Sequence, residues 1–268
     1  MCYTVLFLSL GARLTNIILT KASFFVILVL IIIKTKRYGR LMKTAVITGC
    51  NRGLGEGIKN VLLKEGYKVI GLNRTLSEVK QGNFVEIKCD VSDYNEVKSA
   101  CLRIDGVDLL VLNAGIRRFK AIAETDIKEW TDSVNTNLNG VFNVTNALVK
   151  NVLRSKGDIV IIGSHSEKYA FEKGSAYCAT KCALKGFSEC LGEEVRYDDV
   201  RVSYLSLGSI KNRDHGVDEE WKLLPEEVGQ AIVGLIGLPK KIYIPYVDIR
   251  PLKPLKDSRD GIEKLQYV

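Results

Sequence analysis

Histidine is nearly absent from this chain: of 268 residues only His165 and His215 are imidazoles. A triad built on histidine or a metal site with several imidazole ligands is thereby nearly excluded. The seven cysteines (Cys2, Cys50, Cys89, Cys101, Cys178, Cys182 and Cys190) are odd in number and show no CxxC spacing. Cys178 and Cys182 stand one helical turn apart, but no partner group completes a zinc set. Free thiols in a reducing compartment account for them better. There is no internal repeat, no low-complexity stretch and no Pro/Gly/Ser linker. Acidic residues are missing from residues 1–41, which hold six of the eight net positive charges. The remaining chain is close to balanced, with no basic stripe interleaved with aromatics, so nucleic acid is not an expected partner.

What is present begins with an awkward apolar run. Ala22 to Ile33, "ASFFVILVLIII", is followed at once by "KTKRYGR". As a helix it spans ~18 Å, short of the ~30 Å hydrocarbon core of a bilayer. Extension back to residue 17 gives a marginal span with Lys21 snorkelling near one end. Basic residues stand where a signal-peptide cleavage site would be, which argues against a cleaved leader. Three readings stand for residues 1–41: a membrane anchor with the enzyme domain on the cytoplasmic side, an upstream stretch from a mis-assigned start, with Met42 opening a cytoplasmic domain, or an undefined tail.

From Lys43 onward, short β-branched runs alternate with helical patterns. Strands are expected at 44–48, 68–72, 85–88, 108–112, 158–162, 201–205 and 241–244. Helices are expected at 53–65, 93–102, 127–155, 175–197 and 225–236. Near-continuous apolar strands alternating with helices imply α/β architecture: a doubly wound parallel sheet, Rossmann-type, in three αβα layers. Such folds bind ligands at the carboxyl ends of their strands. The domain is expected over 42–245, with 246–268 a polar tail.

The chemistry-bearing motifs lie at those strand ends. "TGCNRGLGEGIKN" follows the first strand, and Gly49, Gly53 and Gly55 let the backbone turn tightly and approach a pyrophosphate at a helix N-terminus. Where an acid after the second strand would grip the ribose of NAD, the chain has Asn73 and Arg74. Arg52 lies within the glycine loop, and two guanidiniums suit a 2′-phosphate, which favours NADP(H) over NAD(H). Solvated surface is the bland alternative for both arginines. Asp90, in "CDVSD", is placed to accept from an adenine amine, and "LNAG" carries Asn113, Ala114 and Gly115 past the cofactor; turn chemistry is the competing account. Tyr177 and Lys181 lie at i and i+4 on one helix.

Jointly these motifs resemble the short-chain dehydrogenase/reductase family, single-domain type. The residues that carry the resemblance are Thr48-Gly49-x-x-x-Gly53-x-Gly55, Asn113-Ala114-Gly115, Asn137-x-x-Gly140, Ser164 and Tyr177-x-x-x-Lys181. The resemblance implies carbonyl–alcohol interconversion on a small or moderately sized substrate. Tyr177 would be the general acid–base, and Lys181 would lower its pKa and hold the nicotinamide ribose. Ser164 would polarise the carbonyl, and Asn137 would hold a relay water. Asn51, Leu54, Val91, Gly208 and Ile210 join the expected cofactor contacts, and a homodimer or homotetramer is implied. Leu207 replaces a family proline and is expected to loosen a turn, while Asn212 stands where a threonine often meets the carboxamide. Residues 209–224 form a short lid, implying an open site. His165 and Cys178 are each expected either to face the pocket or to serve packing. A catalytically silent cofactor-binding sensor or scaffold is the competing class, with no metal in either.

Overall fold

The computed structural model describes residues 42–77, 82–211 and 220–253. Residues 1–41, and with them the apolar run, lie outside this set, as do residues 212–219 (half of the expected lid, with Asn212 and His215) and residues 254–268. Among the described residues no helix is long and apolar enough to cross a membrane.

Seven strands build one sheet: β1 (Thr44–Thr48), β2 (Lys68–Asn73), β3 (Phe84–Lys88), β4 (Leu109–Leu112), β5 (Asp158–Ile162), β6 (Arg201–Leu207) and β7 (Tyr246–Ile249). Their order is β3-β2-β1-β4-β5-β6-β7 and every pairing is parallel. The chain winds from β1 to one edge, then returns and winds to the other, so a crevice opens beyond the ends of β1 and β4. Among the described residues six α-helices cover the sheet: α1 (Gly53–Lys64), α2 (Tyr94–Cys101), α3 (Ile127–Val134), α4 (Gly140–Ser155), α5 (Ser175–Val195) and α6 (Pro225–Ile236).

Period-two alternation along the strands separates two cores. Val46, Leu110, Ile159, Ile161 and Val202 pack with Val97 of α2, Val144 and Leu148 of α4 and Leu184 of α5. Ala45, Ile47, Leu109, Val111 and Val160 pack on the other face with Ile58 and Leu62 of α1 and Val228 and Ile232 of α6. Both faces of each central strand are thus buried, which is why the strands read as apolar runs.

Three expectations are corrected here. The last strand is 246–249 rather than 241–244, so the first residues assigned to a polar tail belong to the sheet. Arg201, buried at the foot of β6, explains the shift. Its guanidinium donates to the carbonyls of Ile236 (2.9 Å), Leu238 (3.0 Å) and Ile242 (3.3 Å) and pairs with Asp158 (2.6 Å). The segment after α6 therefore spends carbonyls on a side chain, and pairing starts only at Tyr246. The single helix expected over 127–155 is divided by a π-helical turn, Asn135–Asn139, in which the Gly140 N–H reaches back five residues to the Asn135 carbonyl. Leu207 does not loosen a turn either. It is buried at the end of β6, paired with Ile249, and Gly208 N donates to the Ile249 carbonyl at 2.9 Å.

Candidate active site

The crevice is lined first by the glycine loop. Gly49 (φ +66°) and Gly53 (φ +55°) occupy left-handed backbone that other residues adopt at a cost. A Cβ on Gly55 would overlap the Gly49 carbonyl and crowd the Asn113 amide, so α1 can seat this close to the loop only with glycine there. Arg52 is the N-cap of α1 in extended conformation, and no side chain caps the helix. Its first N–H groups, including that of Leu54, are thus left to an anion. This cradle fits a dinucleotide pyrophosphate.

Hydrogen bonds tie the loop to both neighbouring strands. Thr48 Oγ1 accepts from the backbone N–H groups of Asn113 and Ala114, each at 2.9 Å. Asn113 Nδ2 donates to the carbonyls of Thr48 (3.0 Å) and Gly49 (2.8 Å). The Asn113 side chain is therefore consumed in bracing the loop. On the other side Asn73, 2% exposed, accepts from Cys50 N at 2.7 Å and donates to Glu86 at 2.8 Å. Asn51 donates to the Thr75 carbonyl. Arg52 and Arg74 are both exposed, flanking this brace.

Glu86, unanticipated from sequence, is an acid near the ribose end of the site. Burial pushes its carboxyl up, but hydrogen bonds from Ser77 and Asn73 outweigh that and hold it below its ordinary value. Ser77 donates through both N (2.9 Å) and Oγ (2.8 Å). Both carboxylate oxygens are thus engaged within the protein.

Asp90 accepts from Ser92 N (2.9 Å) and Oγ (2.7 Å) through one oxygen, Oδ1, in an Asx turn. Val91 is buried against Gly140, and its carbonyl accepts from Asn143 at 2.9 Å. Gly115 lies next to Asn137, while Gly208 and Ile210 follow β6, Ile210 bridging to Leu223.

At the far end of the crevice the ends of β5 and α5 bring Ser164, Tyr177 and Lys181 together. Ser164 caps a short 3₁₀ turn, its Oγ accepting from Ser166 N at 3.2 Å. Burial raises the Tyr177 pKa; the Ser164 hydrogen bond and the charge of Arg117 pull it back. Lys181 is 5% exposed and donates to the Ile162 carbonyl at 2.8 Å, with its Nζ 5.7 Å from the Tyr177 ring centre. Burial lowers its own pKa to about 8, with Glu167 opposing and Arg117 adding to the drop.

Asn137, 1% exposed, sits in the π turn. Its Oδ1 accepts from Ile116 N (2.7 Å), and its Nδ2 donates to the Ile116 carbonyl (2.9 Å) and to Thr180 Oγ1 (3.2 Å). Both amide hydrogens are thereby engaged, so they are not the groups that would hold a water.

Tyr204 of β6, 1% exposed, passes beneath. Its hydroxyl donates to the Lys181 carbonyl at 3.2 Å. A Cβ on Gly163 would overlap its ring. Glu167 accepts from Ser206 (2.6 Å) and Tyr246 (3.0 Å). His165 is buried and bonded to Asp248 of β7 at 2.7 Å, tying the β5 end to the sheet edge. Phe119 packs edge-on against Tyr177 at 5.7 Å and against Phe171 at 5.1 Å. Beside them a cavity of about 450 Å³ is lined by Ala121, Ile122, Phe171, Lys173, Ser175 and Cys178. Arg117, Phe119, Tyr204 and Glu167 carry no motif; only their contacts reveal them. Among the described residues there is no group of three or more His, Cys, Asp or Glu able to hold a metal, and the six cysteines are free.

Fold and site together define a class: a doubly wound nucleotide-binding protein with a phenol, a hydroxyl and an amine gathered at the sheet's carboxyl edge. A family model described as short chain dehydrogenase matches residues 43–221, and the chain belongs to that family, as an oxidoreductase whose fold binds a nicotinamide cofactor. It is 29% identical to an uncharacterised oxidoreductase of Staphylococcus saprophyticus, over 78% of this chain and 97% of that one. It is 32% identical to the 3-oxoacyl-(acyl-carrier-protein) reductase FabG of Buchnera aphidicola, over 63% of this chain and 74% of the reductase. The alcohol dehydrogenase of the archaeon Thermococcus sibiricus, solved with 5-hydroxy-NADP, superposes with a TM-score of 0.73 at 27% identity. That match covers 80% of this chain and 99% of the archaeal one.

Proposed function

We propose that the protein is an NADP(H)-dependent oxidoreductase interconverting a carbonyl and an alcohol, with Tyr177 as the general acid–base. The observation that carries this reading is the convergence of Ser164, Tyr177 and Lys181 at the carboxyl ends of the strands, with Lys181 Nζ 5.7 Å from the Tyr177 ring centre, along the edge that holds the glycine loop. The cofactor, when bound, supplies or receives the hydride at the substrate carbon. Ser164 Oγ accepts from Ser166 N, and its hydroxyl proton would turn to the substrate oxygen when substrate binds. Tyr177 gives its proton to that oxygen in reduction and takes it back in oxidation. A phenol raised by burial is protonated at neutral pH and suits reduction; the charge of Arg117 keeps the phenolate within reach for the reverse. Lys181, held at the Ile162 carbonyl, offers its remaining protons to a ribose hydroxyl.

NADP(H) is favoured by Arg52 and Arg74, both exposed beside a buried Asn73 in place of an acid. The Thermococcus sibiricus structure with 5-hydroxy-NADP is consistent with that preference. The cavity beside Cys178, at about 450 Å³, suits a small or moderately sized substrate. We further propose a homodimer or homotetramer and a cytoplasmic domain.

The test is Tyr177→Phe. NADPH oxidation with ketones, aldehydes, diketones and acyl thioesters should fall by roughly a hundredfold or more, while NADPH binding, read by fluorescence, stays. Undiminished turnover in the variant would remove Tyr177 from the mechanism. A wild type that binds NADPH and turns over nothing would be a sensor.

A further inference from the structure

Resting on the reading just given, Arg117 supplies what the catalytic set lacks, a point of contact for the rest of the substrate. The segment after β4 is rich in cations, "IRRFK", and helix α3 neutralises two of them. Arg118 pairs with Asp132 at 3.5 Å and Lys120 with Glu129 at 2.9 Å. Arg117 is exposed, and no carboxylate among the described residues pairs with it.

Its place is set from both sides. One residue before it, Ile116 is clamped by N–H and carbonyl to the buried Asn137, which also bonds Thr180 in the turn between Tyr177 and Lys181. Two residues after it, the Phe119 ring packs edge-on against Tyr177 at 5.7 Å. The segment thus runs across the mouth of the site. The electrostatics agree: the Arg117 charge reaches both Tyr177 and Lys181 and lowers the pKa of each. The Arg117 cation is repelled by the Lys181 ammonium at rest. An anion at this point would relieve it, while the neighbouring cavity, walled by Ala121, Ile122 and Phe171, takes apolar substance.

We propose that Arg117 is a specificity-determining residue that binds an anionic group of the substrate, a carboxylate or a phosphate monoester. The reacting carbonyl or alcohol would lie a few bonds away, at Ser164 and Tyr177. The guanidinium fork matches either anion by paired hydrogen bonds.

The experiment follows NADP⁺ reduction with 2-, 3- and 4-hydroxy acids of three to six carbons against their primary amides, and with hydroxyalkyl phosphates against the parent diols. Wild type should prefer the charged member of at least one pair by roughly ten- to a hundredfold in kcat/KM. The carboxylate and phosphate arms identify which anion is read. Arg117→Gln should abolish that preference by raising KM for the charged member alone, with the KM for the neutral member and for NADP⁺ little changed and any fall in kcat shared by both members, and Arg117→Lys should keep part of the preference. Arg117→Gln should also move the acid limb of the oxidation profile to higher pH, because the cation that lowers the Tyr177 pKa is gone. A merely structural residue would not shift that limb.

Equal rates on charged and neutral members, or equal loss on both in Arg117→Gln, would overturn the proposal while leaving the oxidoreductase intact. If nothing turns over, calorimetry of the NADP⁺-bound protein with propanoate and with ethyl phosphate decides separately. Binding lost in Arg117→Gln would support the anion site and sink the oxidoreductase reading. No binding of either probe would overturn both.

Discussion

Arg52 and Arg74 are exposed on either side of an amide network that replaces the acid expected of an NAD site. If each contacts a 2′-phosphate by a charge-assisted hydrogen bond, its loss should cost roughly tenfold or more. Arg52→Gln and Arg74→Gln should each lower kcat/KM for NADPH by that factor and leave NADH nearly unchanged; equal losses on both cofactors would refute the phosphate reading. Glu86 does not oppose it, since Ser77 and Asn73 hold its oxygens. At this scale the sequence was legible wherever a residue type is tied to a motif, as with Tyr177, Lys181 and Ser164. It was silent on partners. Asn113 and Asn137 are conspicuous in sequence as polar residues at strand end and mid-helix, yet their amides brace backbone at the glycine loop and at Ile116. Arg117 carries no motif, and only the ion pairing of Arg118 and Lys120 separates it from its neighbours.

Among the elements, β5 and β6 meet the catalytic helix α5 through one interlock. The Tyr204 ring occupies the space that a side chain on residue 163 would fill, and its hydroxyl donates to the Lys181 carbonyl. Gly163→Ala should therefore cost about 1–3 kcal/mol of stability, as overpacking does. In a Tyr204→Ala background, where the ring is absent, the same change should cost almost nothing. Urea unfolding of the four proteins gives the coupling directly; additive losses would mean that the two positions do not share that space. Most boundaries were readable from periodicity, 225–236 to the residue. The failures have causes that lie between elements. The strand at 241–244 was lost to the reach of Arg201 across the foot of the sheet. The helix from 127 was broken because Asn137 is drawn out to Ile116, and its π turn makes room for that.

For the whole molecule, parallel order and two-faced burial place every strand's carboxyl end on one edge, and the glycine loop and the Ser164–Tyr177 pair share that edge. Alternation of strand and helix made this architecture plain in the sequence, because each central strand must be apolar on both faces. Substrate identity was not legible in the same way, since the pocket is assembled from segments 117–122 and 170–178, which no pattern joins. The most direct test of the account is hydride transfer itself. NADPH carrying deuterium at the transferring position, incubated with the wild-type protein and the carbonyl panel, should yield an alcohol with one deuterium on the former carbonyl carbon. Cofactor bound and unchanged, with no deuterium in any product, would contradict it.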